Sequence, residues 1–83
     1  MKPQVITGNK QLGQIVRDRR KQLRISQTIL GERVGLNQST ISALEIGKAK
    51  VRIDTIFAVF SALGLELIVG SKSIEKADRD SPW

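Results

Sequence analysis

The sequence predicts an all-α domain of four to five helices, with a short C-terminal β-strand and a disordered tail. Three observations predict this class. Apolar residues recur at helical spacing in four segments between residues 9 and 63. Ser, Asn, Asp or Gly residues suited to helix caps stand at the ends of these segments. An alternating stretch at 65–69 and a polar tail at 71–83 follow the last segment.

The first two helices are predicted over residues 9–23 and 27–34, after an N-terminal lead at 1–8. Ser26 is a good N-cap for the second helix, and Gly35 supplies the left-handed residue that ends it. Gly13 weakens the first helix by about 1 kcal/mol relative to alanine, so tertiary packing must help to stabilise it. The positions expected to face the core are Leu12, Ile15, Val16, Leu23, Leu30 and Val34.

The next two helices are predicted over residues 38–46 and from a cap at Asp54 to Leu63. Asn37 caps the third helix, and Gly64 ends the fourth. The positions expected to be buried are Ile41, Leu44, Ile46, Ile56, Phe57, Phe60 and Leu63.

The segment after the fourth helix reads as a single strand at the end of a domain spanning residues 9–70. Leu65, Leu67 and Val69 share one face of it. A single strand leaves its backbone groups unpaired, so it requires a partner. That partner is either residues 4–6 or the same strand of a second subunit.

Composition excludes several classes of site. The 83 residues make one domain near the lower size limit for folding alone. The lack of cysteine and histidine excludes disulfides and most zinc sites, and removes the commonest general base. No apolar run approaches the roughly 20 residues of a membrane span, and the N-terminus lacks a signal-peptide pattern. We expect a cytoplasmic protein that is not an enzyme, with no metal, cofactor, membrane or small-molecule substrate.

Charge is distributed unevenly along the chain. Residues 1–52 contain 11 Lys/Arg and 3 Asp/Glu, whereas residues 53–83 contain 3 and 5. A basic first half suits a nucleic-acid surface, and an acidic second half suits another partner. The same charges also suit a merely soluble protein, so charge alone does not decide the function.

The polar side chains at the starts of the second and third helices point to double-stranded operator DNA. In a helix-turn-helix the first helix of the pair crosses the DNA backbone and the second enters the major groove. The amide of Gln38 matches the edge of adenine. Predicted base contacts are Asn37, Gln38, Ser39 and Ser42; predicted phosphate contacts are Gln27, Thr40, Lys48 and Lys50.

Residues 12–64 resemble the lambda repressor/Cro-like (XRE) superfamily. The resemblance rests on Arg17 and Arg20, Ser26-Gln27, Val34-Gly35, Ile41-Ser42, and Glu45 with Gly47. It implies a lambda-repressor-like DNA-binding domain in which Arg20 and Glu45 form a structural salt bridge. Gly31 stands where the family usually has Ala, which predicts a looser contact between the second and third helices.

The lead, the strand and the tail are most similar to HipB-type antitoxins. Those proteins are dimers that bind operator DNA and a HipA-type serine/threonine kinase toxin. The resemblance implies that residues 65–69 pair across a homodimer, and that the tail with its terminal Trp83 can engage the toxin.

Three other functions fit the sequence. A stand-alone regulator, such as a phage repressor or a restriction–modification controller, would have no toxin gene beside it. An antitoxin of an endoribonuclease would keep the DNA-binding half with a different partner. In a protein-interaction module that has lost DNA binding, the polar face of the third helix would make no contact with DNA.

Overall fold

The computed structural model describes residues 2–48 and 50–72. This part of the chain forms four helices: α1 (Asn9–Gln22), α2 (Gln27–Val34), α3 (Gln38–Glu45) and α4 (Ile53–Ala62). The all-α prediction is confirmed. Each observed helix lies within about two residues of its predicted bounds.

The core lies where α3 packs against both α1 and α2, and α4 closes it by packing against α2. Val16, Leu30, Ile41 and Val59 are fully buried there, one from each helix. Because every helix contributes such a side chain, each loses its main apolar contact if the others unfold. The buried apolar residues are Leu12, Val16, Leu30, Ile41, Leu44, Val59, Phe60 and Leu63.

Three residues expected in the core are instead exposed. Leu23, Ile46 and Phe57 expose 40%, 52% and 56% of their surface. Leu23 and Ile46 each follow the last helical residue of their element, where helical periodicity no longer applies. Phe57 lies one position away from the α4 stripe that packs inward, which is formed by Ile56, Val59, Phe60 and Leu63.

The start of α4 also differs from its prediction. Arg52 occupies the N-cap position, and Asp54 lies in the first turn rather than before it. The Asp54 carboxylate accepts hydrogen bonds from the Thr55 backbone N–H at 2.8 Å and from Arg52 Nε at 3.2 Å. A carboxylate stabilises first-turn N–H groups from inside the helix as well as from the cap, so the helix begins earlier.

Arg19, which no sequence pattern explains, joins the ends of α1 and α4. Its Nε donates to the Leu63 carbonyl oxygen at 2.9 Å. That oxygen lies at the C-terminal end of α4, where backbone carbonyls lack helical donors.

Gly13 and Gly31 lie where backbone segments approach closely. A Cβ atom on Gly13 would overlap the carbonyl oxygens of Leu44 and Glu45 at the end of α3. A Cβ atom on Gly31 would overlap the carbonyl oxygen of Leu36 in the turn between α2 and α3. The expectation that Gly31 loosens this contact is therefore wrong, because the missing side chain is what allows the close approach.

Gly13→Ala is expected to destabilise the protein by about 1–3 kcal/mol, although alanine favours a helix by about 1 kcal/mol. The added methyl group meets backbone oxygens of α3, which have no free rotamer with which to move away. Urea unfolding monitored by circular dichroism measures the change. Gly70→Ala is the matched control, because open space surrounds Gly70; an unchanged or raised midpoint for Gly13→Ala would contradict the packing argument.

The predicted strand at 65–69 is not seen within the described residues. Residues 65–68 and the N-terminal lead instead border a groove of about 1,100 Å³, whose other lining residues include Leu12, Ile56 and Phe60. Of the two alternative partners, residues 4–6 of the same chain do not pair with this segment in the structure, because neither segment has strand hydrogen bonds. A strand needs a hydrogen-bonded neighbour, and the described residues of a single subunit do not supply one. Trp83 and the tail from residue 73 onward lie outside the described residues.

Candidate nucleic-acid interface

The turn between α2 and α3 is built from local capping interactions. Ser26 accepts a hydrogen bond from the Ile29 backbone N–H at 3.0 Å and begins α2. Gly35 ends α2 with φ of 74°, a left-handed conformation that glycine adopts without steric cost. Asn37 then begins α3 by accepting from the Thr40 backbone N–H at 2.8 Å. Two residues therefore separate the left-handed Gly35 from the start of α3, which gives the tight turn of a helix-turn-helix.

A buried ion pair links α3 to α1. Arg20 Nε donates to Glu45 Oε2 at 2.7 Å, and Arg20 Nη2 donates to Glu45 Oε1 at 3.0 Å. The side chain of Glu45 is 1% exposed and that of Arg20 is 11% exposed. A two-point contact of this kind fixes orientation as well as distance. It therefore fixes the orientation of α3 relative to α1.

Hydrogen bonding to Glu45 further favours the charged form of Arg20. The Glu45 carboxylate raises the pKa of Arg20 above its ordinary value, while partial burial of the guanidinium opposes the increase. A pKa that is higher in the folded state than in the unfolded state stabilises the fold at every pH below the unfolded-state pKa. This stabilisation is lost only as the pH rises through the folded-state pKa. Because that unfolded value is already strongly alkaline, titration of Arg20 does not weaken the pair near neutral pH.

The two glutamines that begin α2 and α3 are in contact, although one is predicted to bind a phosphate and the other a base edge. Gln27 Nε2 donates to Glu45 Oε1 at 3.0 Å. Gln38 Nε2 in turn donates to Gln27 Oε1, and Gln38 remains exposed. The 11-residue spacing of these glutamines was visible in the sequence, but their contact depends on how α2 and α3 are folded together.

Three further predicted contacts lie in one cluster at the start of α3. The Asn37 Oδ1 atom accepts from Ser39 Oγ at 2.9 Å and from Thr40 Oγ1 at 2.7 Å, in addition to its capping bond. All three side chains are exposed. Because Asn37 Oδ1 already accepts three donors, its Nδ2 group is the part suited to a base edge.

The remaining predicted DNA contacts differ in exposure. Ser42 is half-buried on α3, whereas Lys48 and Lys50 are exposed after it. Thr40 and Lys50 border the same shallow cavity of about 190 Å³, together with Arg52 and Thr55. Leu36, Leu44 and Val51 also line this cavity and make it mainly apolar, so Thr40 and Lys50 are suited to a phosphate only through their own exposed side chains.

Nothing in the described ranges suggests a metal site or a transmembrane helix. Residues 2–48 and 50–72 contain no group of His, Cys, Asp and Glu side chains able to hold a metal ion. Within the same ranges, no helix is long and apolar enough to cross a bilayer.

The family comparison agrees with this geometry. A helix-turn-helix family model matches residues 16–69, which contain all of α2, α3 and α4. No curated protein shows significant similarity to the chain.

Several solved structures share the fold. The restriction-modification controller protein C.AhdI from Aeromonas hydrophila is 30% identical, with a TM-score of 0.65 over 69% of this chain and 83% of that one. HipB in a HipA–HipB–O2–O3 complex is 25% identical, with a TM-score of 0.76 over 86% of this chain and all of the other. The P22 c2 repressor bound to a synthetic operator is 33% identical, with a TM-score of 0.64 over 66% of this chain and 83% of that one.

Proposed function

The chain belongs to the helix-turn-helix family, and on that premise we propose that it is a homodimeric repressor that reads its operator through α3. It is a DNA-binding regulator of the XRE type. The proposal adds that it represses its own operon as the antitoxin of a HipA-type kinase. The observation that carries the DNA-reading part is the exposed Gln38 at the start of a helix held in place by the buried Arg20–Glu45 pair.

The predicted contacts divide into two chemical groups. Gln38, Ser39 and the Asn37 amide nitrogen offer donors and acceptors for base edges in the major groove. Thr40, Lys50 and Lys48 offer contacts to phosphates, as do the first-turn backbone N–H groups of α2 that begin at Gln27. Base contacts would give sequence preference, and phosphate contacts would fix the position of the protein on the duplex.

Lys48→Ala is expected to weaken binding to all duplexes alike and to reduce the dependence on salt. Each lost phosphate contact lowers the slope of log affinity against log salt by about 0.9, or about 1.8 for a dimer. Fluorescence anisotropy with the protein's own promoter DNA, from about 50 to 200 mM salt, measures this slope. Lys72→Ala is the control, since Lys72 lies beyond the domain's last helix; equal slopes for Lys48→Ala and the wild type would remove Lys48 from the interface.

The proposed homodimer would form along residues 65–69 and the adjacent groove. Val69 is 99% exposed and Ile68 is 70% exposed, while Leu67 borders the groove. Exposed apolar side chains on a segment that lacks strand partners favour pairing with the same segment of a second subunit. On α4, Ile53 is 61% exposed and also borders this groove, so it would extend the contact.

Val69→Asp is expected to weaken the dimer by about 30-fold or more without changing the stability of the monomer. The side chain is 99% exposed in the single chain, so its replacement removes no internal packing. Each dimer loses two buried valines and gains two carboxylates at its interface. Together these changes should lower the free energy of dimerisation by roughly 2 kcal/mol. Sedimentation equilibrium measures the change, with Glu32→Gln on the exposed surface of α2 as the control. A Val69→Asp protein that remained dimeric at the wild-type concentration would place the interface elsewhere.

The kinase partner is supported by the extent of the likeness to HipB. The alignment covers all of the HipB chain and 86% of this one, more than the alignments with C.AhdI and the P22 repressor cover. The acidic second half of the chain and the terminal Trp83 offer charge and an aromatic anchor for a second partner.

A restriction–modification controller is the second candidate, because C.AhdI is 30% identical to the chain. Co-expression with the neighbouring gene distinguishes the two functions. An antitoxin would co-purify with a kinase and restore growth, whereas a controller would regulate a restriction enzyme gene without binding its product. Failure of both co-purification and growth rescue would contradict the antitoxin proposal and leave DNA binding unaffected.

A further inference from the structure

Arg24 lies in the loop that joins α1 to α2, two residues before the N-cap of α2. We infer that Arg24 is a further contact to a DNA phosphate, a cation held at a backbone position whose conformation favours glycine. The inference rests on the proposed function, in which the start of α2 lies beside the DNA backbone.

The end of α1 has the backbone hydrogen bonds of a Schellman motif. The Arg24 N–H donates to the Lys21 carbonyl oxygen at 3.0 Å, and the Ile25 N–H donates to the Arg20 carbonyl oxygen at 3.3 Å. These two bonds require the residue that follows the C-cap, here Arg24, to take a left-handed conformation. Its φ is 57°, where the Cβ atom of an L-residue is crowded by its own backbone.

The other three helices use glycine for the left-handed residue at their C-terminal ends. These glycines are Gly35, Gly47 and Gly64, with φ of 74°, 80° and 67°. Among residues 2–48 and 50–72, Arg24 is the only residue other than glycine with a positive φ. Because glycine takes this conformation without steric cost, the strain at Arg24 requires a compensating contribution from its side chain.

Stabilisation of α1 does not supply that contribution. A cation near the C-terminus of a helix interacts favourably with the helix dipole. The last turn of α1 already contains Arg19, Arg20 and Lys21. A fourth cation beside them would add repulsion between like charges to any gain from the dipole.

The side chain of Arg24 is instead available to a partner outside the subunit. It is exposed, and its guanidinium makes no hydrogen bond or ion pair with the part of the chain that the structure describes. The backbone next to it is held in place, because Arg20 Nη1 donates to the Ile25 carbonyl oxygen at 2.9 Å. A free guanidinium on a fixed backbone suits a phosphate, which can accept two parallel N–H groups.

The loop places this cation next to a contact that already belongs to the proposed interface. Only two residues separate Arg24 from Gln27, the first residue of α2. The DNA strand that approaches the start of α2 therefore lies within reach of a long arginine side chain. Arg24 would add one charged contact to that strand in each half-site, without reading a base.

Three substitutions at this position separate the charge from the backbone strain. Arg24→Lys keeps the charge, Arg24→Gln removes the charge and keeps the strain, and Arg24→Gly removes both. Arg33→Gln is the matched control, because Arg33 is an exposed arginine in the last turn of α2, at the opposite end from Gln27. Fluorescence anisotropy measures affinity for the duplex that the wild type selects from a randomised library, from about 50 to 200 mM salt. Urea unfolding measures the stability of each full-length variant.

We expect Arg24→Gln and Arg24→Gly to lower the slope of log affinity against log salt by about 1.8 per dimer. The advantage of the wild type over these two variants should then shrink about 12-fold between about 50 and 200 mM salt. Arg24→Lys and Arg33→Gln should keep the wild-type slope. Arg24→Gly should unfold at a higher urea concentration than Arg24→Gln, since both lack the charge and only glycine relieves the strain.

The outcomes separate this inference from the function it rests on. If Arg24→Gln keeps the wild-type affinity and slope, or if Arg33→Gln lowers the slope equally, Arg24 makes no specific phosphate contact and the inference is overturned. Selective DNA binding by the wild type would still stand in either case. If the wild-type protein selects no sequence from the library, the proposed function fails and the inference fails with it.

Discussion

Arg20→Met is expected to lower the free energy of unfolding by about 3–5 kcal/mol, a large share of the stability of a domain of this size. The substitution keeps an unbranched apolar stem but removes the guanidinium group, with its charge and its N–H donors. The Glu45 carboxylate, 1% exposed, would lose both guanidinium donors and keep only Gln27. The carbonyl oxygen of Ile25, which Arg20 Nη1 binds at 2.9 Å, would lose that donor as well.

Urea unfolding at neutral pH measures this effect, and Arg17→Met is the control. Arg17 is exposed on the same helix, so its replacement should change stability by no more than about 0.5 kcal/mol. The double variant Arg20→Met, Glu45→Leu should recover much of the loss, because apolar replacement of a whole buried pair is often nearly neutral. Comparable stability of Arg20→Met and Arg17→Met would show that the buried pair does not hold α3 against α1.

Gln38→Ala is expected to cost about 1–3 kcal/mol of DNA-binding free energy per half-site, or roughly 2–6 kcal/mol for a dimer on a palindrome. The base edge would lose both of its partners on Gln38. Preference at that one position of each half-site should disappear, while preferences at the other positions remain. The fold should be unaffected, because Gln38 is exposed and its hydrogen bond is to another side chain.

Competition binding with duplexes substituted at each position of the selected site tests this result. Gln14→Ala, which removes an exposed amide from α1, should bind like the wild type. An unchanged footprint and affinity for Gln38→Ala would mean that another element reads the DNA. The salt dependence should stay constant in this variant, since no phosphate contact is removed.

Short-range chemistry in the sequence was sufficient to predict the helices and the turn. Ser26, Gly35 and Asn37 occupy the positions predicted for them, because a cap depends on a side chain and backbone groups within about three residues. The helical stripe likewise identified Leu30 and Ile41 as core residues. The same reasoning misplaced Asp54, because a carboxylate can stabilise the first turn of a helix from more than one position.

The residues around the helix ends show where sequence periodicity stops being informative. Leu23 and Ile46 continue an apolar pattern but follow the last helical residue, so their side chains leave the stripe. The partner of Arg19 is 44 residues away in the chain, and no local pattern indicates it. The sequence predicts only that Gly13 destabilises α1. The structure shows why a glycine is needed there, since the backbone of α3 lies directly against it.

The sequence by itself determined the class of this protein: a small basic all-α domain with a helix-turn-helix whose later helix, α3, begins with polar side chains. Helix caps, apolar spacing and charge are local properties, and they can be read in order along the chain. Tertiary structure decided how Gln27, Gln38, Glu45 and Arg20 are joined into one line of hydrogen bonds across three helices. It also decided that residues 65–69 have no strand partner among residues 2–48 and 50–72 of the same subunit. Both depend on where separate segments meet in space, because the direction of a hydrogen bond and the pairing of a strand are fixed only by a neighbour.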